Sequence, residues 1–294
     1  MEVDVAVDPR EVGPKPPFPK QHQEFPGVES AMTPRPDHGE ESYVGHDRLA
    51  GRTALVVGGD SGIGKAVAIA YAREGADVAV GYLNEHEDAQ DTVSWIERAG
   101  RRGLAMAGDI GEEDHSRDLV RRTVAQLGKL DILVITAVFG MNHPTITEVP
   151  SAEWRHAMTT NLDGMFYLCK AAVPYMQPGS AIITTSSIEA YKPDPNALAY
   201  STTKGAIVTF SMALGQDVIR QGIRVNCVAP GPFWTPLTTV TMEPEKTADY
   251  GHQTPLKRPG QPKEIAPIYV LLASDEGSFV ADTMYLVAGG MPLP

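Results

Sequence analysis

The chain has 294 residues, 42% of them hydrophobic, which is enough to bury the core of one large α/β domain or two small ones. Its net charge of -12 and pI of about 5.1 argue against a surface built for nucleic acid or an anionic membrane. No apolar run is long enough to span a bilayer, and Cys169 and Cys227 lie in apolar stretches without disulfide or metal-ligand spacing, so a soluble, cytoplasmic protein without a metal centre is expected.

Residues 1–48 differ from the rest. Pro9, Pro14, Pro16, Pro17, Pro19, Pro26, Pro34 and Pro36 crowd a segment with no helical or strand period. Such a segment favours extended backbone and cannot form a core of its own. Its apolar residues Phe18, Phe25, Val28, Met32 and Tyr43 predict a tail that docks on the body or on a neighbouring subunit.

Over 49–294, strand-like runs alternate with amphipathic stretches. Strands are expected at Ala54–Val57, Val78–Val80, Leu104–Ala107, Ile132–Ile135, Ala181–Thr185, Val225–Ala229 and Met284–Val287. Helices are expected at Ile63–Glu74, His86–Ala99, Glu112–Leu127, Ala152–Met176, Ala199–Gln221 and Lys263–Ala273, with an irregular lid at about 233–260. Strands apolar on both faces imply a mostly parallel sheet covered on each side by helices, a doubly wound single domain because the alternation has no linker.

Two motifs stand at strand ends. Leu55-Val56-Val57 runs into Gly58-Gly59-Asp60-Ser61-Gly62-Ile63-Gly64 and then a helix, the setting in which backbone N–H groups can approach a pyrophosphate. Further on, Tyr200 and Lys204 are four residues apart on a predicted helix and share a face. A cation beside a phenol favours the phenolate, so Lys204 is expected to draw the Tyr200 pKa down from its usual value of roughly 10.

The G-x-x-x-G-x-G spacing, Asp109-Ile110, Asn161, Ser187 thirteen residues before Tyr200, the Tyr200/Lys204 pair and Pro230-Gly231-Pro232-Phe233-Trp234-Thr235 together resemble the short-chain dehydrogenase/reductase family over about residues 50–290. With its proline-rich extension, the chain also looks like bacterial aldehyde or general-stress oxidoreductases. The resemblance implies a seven-stranded Rossmann sheet and a homotetramer. It also implies a small-molecule substrate whose carbonyl and alcohol forms are interconverted, with an enoyl reductase or epimerase as the alternative and a non-catalytic nucleotide-binding sensor as a third reading. Tyr200 would be the general acid/base and Ser187 would bind the reacting oxygen. Lys204 would hold the nicotinamide ribose, and Asn161 would support a water bridge to Lys204.

By the same resemblance Gly58, Asp60, Ser61, Gly62, Ile63, Gly64, Tyr82, Leu83, Asp109, Ile110, Thr136, Ala137, Tyr200, Lys204, Pro230, Gly231, Phe233 and Thr235 would contact the nucleotide. Asp109 would lie against the adenine and Thr235 against the carboxamide. Tyr82 stands where a carboxylate would select NAD, and Ser61 where many NADP-using members carry a basic residue, so NADP is favoured over NAD. Val57 and Ile135-Thr136-Ala137-Val138 depart from the usual threonine and Asn-Asn-Ala-Gly, which predicts an apolar repacking beside the adenine ribose. Phe139, Glu189, Tyr191 and Trp234 are the expected substrate-pocket residues, most of them apolar.

Overall fold

The computed structural model describes residues 7–293, so the first six residues of the expected extension and Pro294 lie outside the described residues. Seven strands, β1 (Thr53–Val57), β2 (Asp77–Tyr82), β3 (Gly103–Ala107), β4 (Ile132–Ile135), β5 (Ala181–Thr185), β6 (Arg224–Pro230) and β7 (Met284–Val287), form one parallel sheet in the order β3-β2-β1-β4-β5-β6-β7. Strands β1, β4, β5 and β6 are buried along their whole length, which is why they read as continuous apolar runs rather than alternating ones.

Helices α1 (Gly62–Arg73), α2 (His86–Arg98) and α9 (Pro262–Ala273) cover one face, where Val67, Tyr71, Ile96 and Tyr269 pack. On the other face, α3 (Glu113–Leu127), α5 (Gly164–Ala172) and α6 (Leu198–Val218) close a core of Leu55, Leu119, Leu133, Leu168 and Ile207. The sheet grows outward in opposite directions from the β1/β4 pair, where Val57 is in register with Ile135. Loops leaving the carboxyl ends of these two strands therefore diverge, and a crevice opens between them.

Two expectations are corrected. The single helix expected over Ala152–Met176 is broken into α4 (Ser151–Met158), a π turn over Thr159–Asp163, α5 and a final 3₁₀ turn at Val173–Tyr175. A π turn inserts one extra residue and re-aims its side chains. Here it turns Asn161 toward the loop after β4. The lid is not irregular throughout: it contains α7 (Pro236–Thr241) and α8 (Pro244–Ala248), each starting on a proline. Proline at the first helical position was the available signal, because its fixed φ suits a helix start and no N–H bond is lost there.

The proline-rich segment lies along the lid and along α1. Phe18 stacks on Trp234 with ring centroids 4.4 Å apart, and Phe18 N–H donates to the Ala248 carbonyl at 2.8 Å. Burying one such aromatic side chain contributes on the order of 2 kcal/mol. Gln23 N–H donates to the Thr239 carbonyl at 2.9 Å, and Trp234 Nε1–H to the Pro34 carbonyl at 2.8 Å. Among the described residues, no helix is long and apolar enough to cross a bilayer, and no group of three His, Cys, Asp or Glu side chains is placed to hold a metal.

Candidate active site

The glycine turn after β1 is the floor of the crevice. At Gly58, φ is +82°, and a Cβ there would fall 2.5 Å from Ala137 N. A Cβ at Gly64 would fall 1.9 Å from the Gly58 carbonyl oxygen. Only glycine lets the start of α1 lie against the end of β1 in this way. Ser61 gives the helix no side-chain cap; instead the Gly62 N–H donates at 2.7 Å to Glu29 Oε1, a carboxylate from the extension. An anion at this position suits the positive end of the helix.

Glu29 belongs to a buried charge cluster. Its Oε2 lies 2.7 Å from Lys65 Nζ, its Oε1 lies 2.6 Å from His38 Nε2, and Lys65 also reaches Asp91 at 2.7 Å. Burial alone would raise the Glu29 carboxyl, but the charges of His38 and Lys65 outweigh it and hold it below its usual value. Burial likewise works against a charged His38, and Glu29 and Glu40 overcome it, so His38 is raised.

From the turn, a cavity of about 400 Å³ extends past the ends of β4 and β5 to α6. The expected nucleotide-contact residues all line it, from Tyr82, Leu83, Asp109 and Ile110 at one end to Pro230, Gly231, Phe233 and Thr235 at the other. The departure after β4 keeps a polar link rather than an apolar one: Thr136 Oγ1 donates to the Val57 carbonyl at 2.8 Å, with the Gly58 carbonyl at 3.1 Å, tying the two strand ends together. Burial, reinforced by the charge of Glu85, pushes the Asp60 carboxyl up to about 7.

Ser187, Tyr200 and Lys204 share the other end of the cavity. Ser186 and Ser187 separate by role, because the Ser186 hydroxyl donates to the Lys204 carbonyl at 2.7 Å and braces the helix. The Ser187 hydroxyl accepts the Glu189 N–H at 3.1 Å and draws the Tyr200 phenol pKa downward. Tyr200 is half-buried, its open edge facing the cavity. Lys204 is buried, and its Nζ donates to the Thr185 carbonyl at 2.8 Å.

The expected electrostatics of this pair need correction. Lys204 Nζ lies over the Tyr200 ring, 5.3 Å from its centroid, and burial dominates both groups. It pushes the Tyr200 phenol above its ordinary range, with Ser187 pulling the other way, and lowers the Lys204 ammonium to about 8. Desolvation penalises whichever form is charged, so a protonated phenol and a readily neutralised amine are the result.

Asn161 stands behind the site rather than in it. Its Oδ1 accepts the Phe139 N–H at 2.8 Å, and its Nδ2 donates to the Phe139 carbonyl at 2.8 Å and to Thr203 Oγ1 at 3.0 Å. The side chain has little hydrogen-bonding capacity left for water.

Of the expected substrate-pocket residues, only Glu189 lines the cavity. Trp234 is fully buried because its ring is covered by Phe18, and Phe139 packs on His156 with centroids 4.3 Å apart. Tyr191 also lies off the cavity, its backbone closing the short turn that begins at Ile188. The apolar lining comes instead from Met141, Met242, Tyr250 and, from the extension, Phe25 and Pro26. The apolar character of Phe25 marked it for docking but not for the cavity, since its place depends on contacts with Phe139 and His156, far away in the chain.

Comparisons with known proteins show the family of the chain. The family model described as "Enoyl-(Acyl carrier protein) reductase" matches residues 57–292. General stress protein 39 of Bacillus subtilis is 48% identical over 267 residues, 90% of this chain and 93% of the relative. A short chain dehydrogenase from Burkholderia cenocepacia, solved in complex with NADP, has a TM-score of 0.77 at 29% identity and covers 83% of this chain and 98% of its own. The L-sorbose reductase of Gluconobacter frateurii, solved with NADPH and L-sorbose, has a TM-score of 0.75 at 31% identity, covering 83% of this chain and 97% of its own.

Proposed function

Because the chain belongs to the short-chain dehydrogenase/reductase family, we propose that it is an NADP(H)-dependent oxidoreductase that interconverts an aldehyde or ketone with the corresponding alcohol. The observation that carries this reading is the single cavity joining the glycine turn to the Ser187, Tyr200 and Lys204 side chains. The residues fit a dinucleotide. The turn needs glycine to admit a close backbone approach at the start of α1, and the cavity continues from there to Ser187 and the Tyr200 phenol. When bound, NADP(H) would supply or accept the hydride.

The chain's own residues do the rest. Gly58, Ser61, Gly62, Ile63 and Gly64 would hold the pyrophosphate region, with Asp60, Tyr82, Leu83, Asp109 and Ile110 about the adenosine. Thr136, Ala137, Pro230, Gly231, Phe233 and Thr235 would frame the nicotinamide half. Tyr200, kept as a neutral phenol by burial, is a proton donor suited to the reduction direction, and Ser187 would steady the oxygen as charge develops on it. Lys204 would bind the ribose. Asn161 would act through the Phe139 loop and the π turn, leaving any water bridge to its backbone carbonyl. Tyr82, where a carboxylate would select NAD, supports NADP over NAD. The two neighbours solved with NADP and NADPH support it too.

Fluorescence titration with NADPH and NADH, followed by a panel of carbonyls and alcohols, tests the reading. Tighter binding of NADPH and turnover of a carbonyl are expected; equal use of both nucleotides would defeat the NADP preference. The description of the matched family model favours a second reading, reduction of an enoyl double bond, so an enoyl thioester belongs in the panel.

Carbonyl reduction should also depend on pH through Lys204. Its pKa of about 8 means the ammonium is present below that pH and lost above it. The kcat/KM for reduction, which reports groups of the free enzyme, is expected to fall as pH rises through about 8. A profile flat to pH 10 would contradict the assignment of Lys204.

A further inference from the structure

The segment from Phe18 to His38 runs beside the lid and is anchored at two points, on Trp234 and at the start of α1. Phe18 is seated on Trp234 at one end, and Glu29 at the other accepts the first N–H of α1. Between these anchors Gln23 bonds to Thr239, and the chain passes against α7 at Gly27, where φ is +78° and a Cβ would fall 2.8 Å from Val240 Cγ2. Only glycine can occupy that point. The two residues before it, Phe25 and Pro26, therefore face into the cavity.

Phe25 lies at the Tyr200 end. Its ring meets Phe139 edge-on with centroids 4.9 Å apart, and a Cβ on the next residue, Gly140, would touch the Tyr200 ring at 2.9 Å. His156 completes the aromatic contact, 6.5 Å from Phe25 and 4.3 Å from Phe139. An aromatic ring from the proline-rich segment thus lines this side of the cavity beside residues of the catalytic domain.

We propose that Phe25 is a specificity-determining residue: its ring is the outer wall of the substrate space and limits the bulk of the carbonyl compound that reaches Tyr200. The inference rests on the carbonyl-reductase reading for its kinetic test but not for its binding test. Replacing a large aromatic ring by a methyl group opens the wall, whereas Phe25→Trp narrows it further. An apolar contact difference of one or a few methylenes is worth roughly 10–200-fold in discrimination.

The experiment compares wild type, Phe25→Ala and Phe25→Trp by the ratio of kcat/KM for 2-naphthaldehyde to that for propanal, with NADPH. The ratio is expected to rise about 10-fold or more in Phe25→Ala and to fall in Phe25→Trp, with the NADPH Kd unchanged. In parallel, calorimetric titration of the NADPH-bound enzyme with 2-naphthylmethanol and 1-propanol measures the same contrast without turnover. Phe25→Leu serves in place of Phe25→Ala if the latter does not fold. Ratios that stay constant across the variants in both measurements overturn the proposal. If wild type reduces no carbonyl, the proposed reaction fails, and the alcohol-binding contrast still decides the role of Phe25.

Discussion

Tyr200→Phe is expected to lower the rate of carbonyl reduction by about 10²–10⁴-fold, the range over which a positioned general acid contributes. The substitution deletes one oxygen and keeps the ring, so the packing of α6 against Gly140 and beneath the Lys204 amine is retained. What is lost is the proton donor that shares the cavity with Ser187. Nucleotide affinity should change little, because the glycine turn and Lys204 are untouched and the Tyr200 ring stays in place. Steady-state kinetics beside a fluorescence titration with NADPH separates the two effects. Undiminished turnover would refute the mechanism, and a biological effect that survives the loss of turnover would instead favour a nucleotide-binding sensor.

Glu29→Ala is expected to cost about 3 kcal/mol in stability, at the lower end of the range for breaking a buried ion pair from one side. Glu29, Lys65 and His38 are all nearly inaccessible to solvent, so removal of the carboxylate takes one counter-charge from each cation, leaving His38 with Glu40 at 2.9 Å, and leaves the Gly62 N–H without its acceptor. The remaining 2.7 Å contact of Lys65 with Asp91 keeps the loss from being larger. Thermal or denaturant unfolding measures it, and limited proteolysis between residues 18 and 38 reports whether the segment detaches first. A variant as stable as wild type would show that the cluster contributes nothing net.

The same cluster dictates a pH window. The Glu29 carboxyl is lowered from 4.5, so its contribution is fully present above that value and disappears as pH falls through the depressed one. His38 is raised from 6.5, so its contribution is complete below 6.5 and disappears as pH rises through the elevated value. The difference in stability between wild type and Glu29→Ala should therefore be greatest between these limits.

Which parts of this site were readable in advance follows from how far each residue's position depends on distant chain. The strands were readable because a parallel strand buried on both faces must be apolar without interruption, as Ile132–Ile135 is. The glycine turn was readable because a φ of +82° and a 1.9 Å clearance exclude other residues. Whereas Ser187 was joined to Tyr200 and Lys204 only by the family resemblance, those two were readable as a pair, since one helical turn sets their spacing. The direction of the Tyr200 shift was not, because it depends on how much protein surrounds the phenol, and sequence spacing reports neighbours but not burial.

The alternation of apolar runs and glycine-punctuated helix starts was sufficient, within the sequence itself, to determine a doubly wound parallel sheet with its crevice at the carboxyl strand ends, since periodicity and backbone sterics act locally. The tertiary structure alone decided that Trp234 turns out of the pocket to meet Phe18, that Asn161 clamps Phe139, and that Phe25 and Glu29 enter the site from a segment without a period. A proline-rich chain has extended backbone but no preferred face, so only long-range packing and buried charge pairing determine where its side chains come to rest.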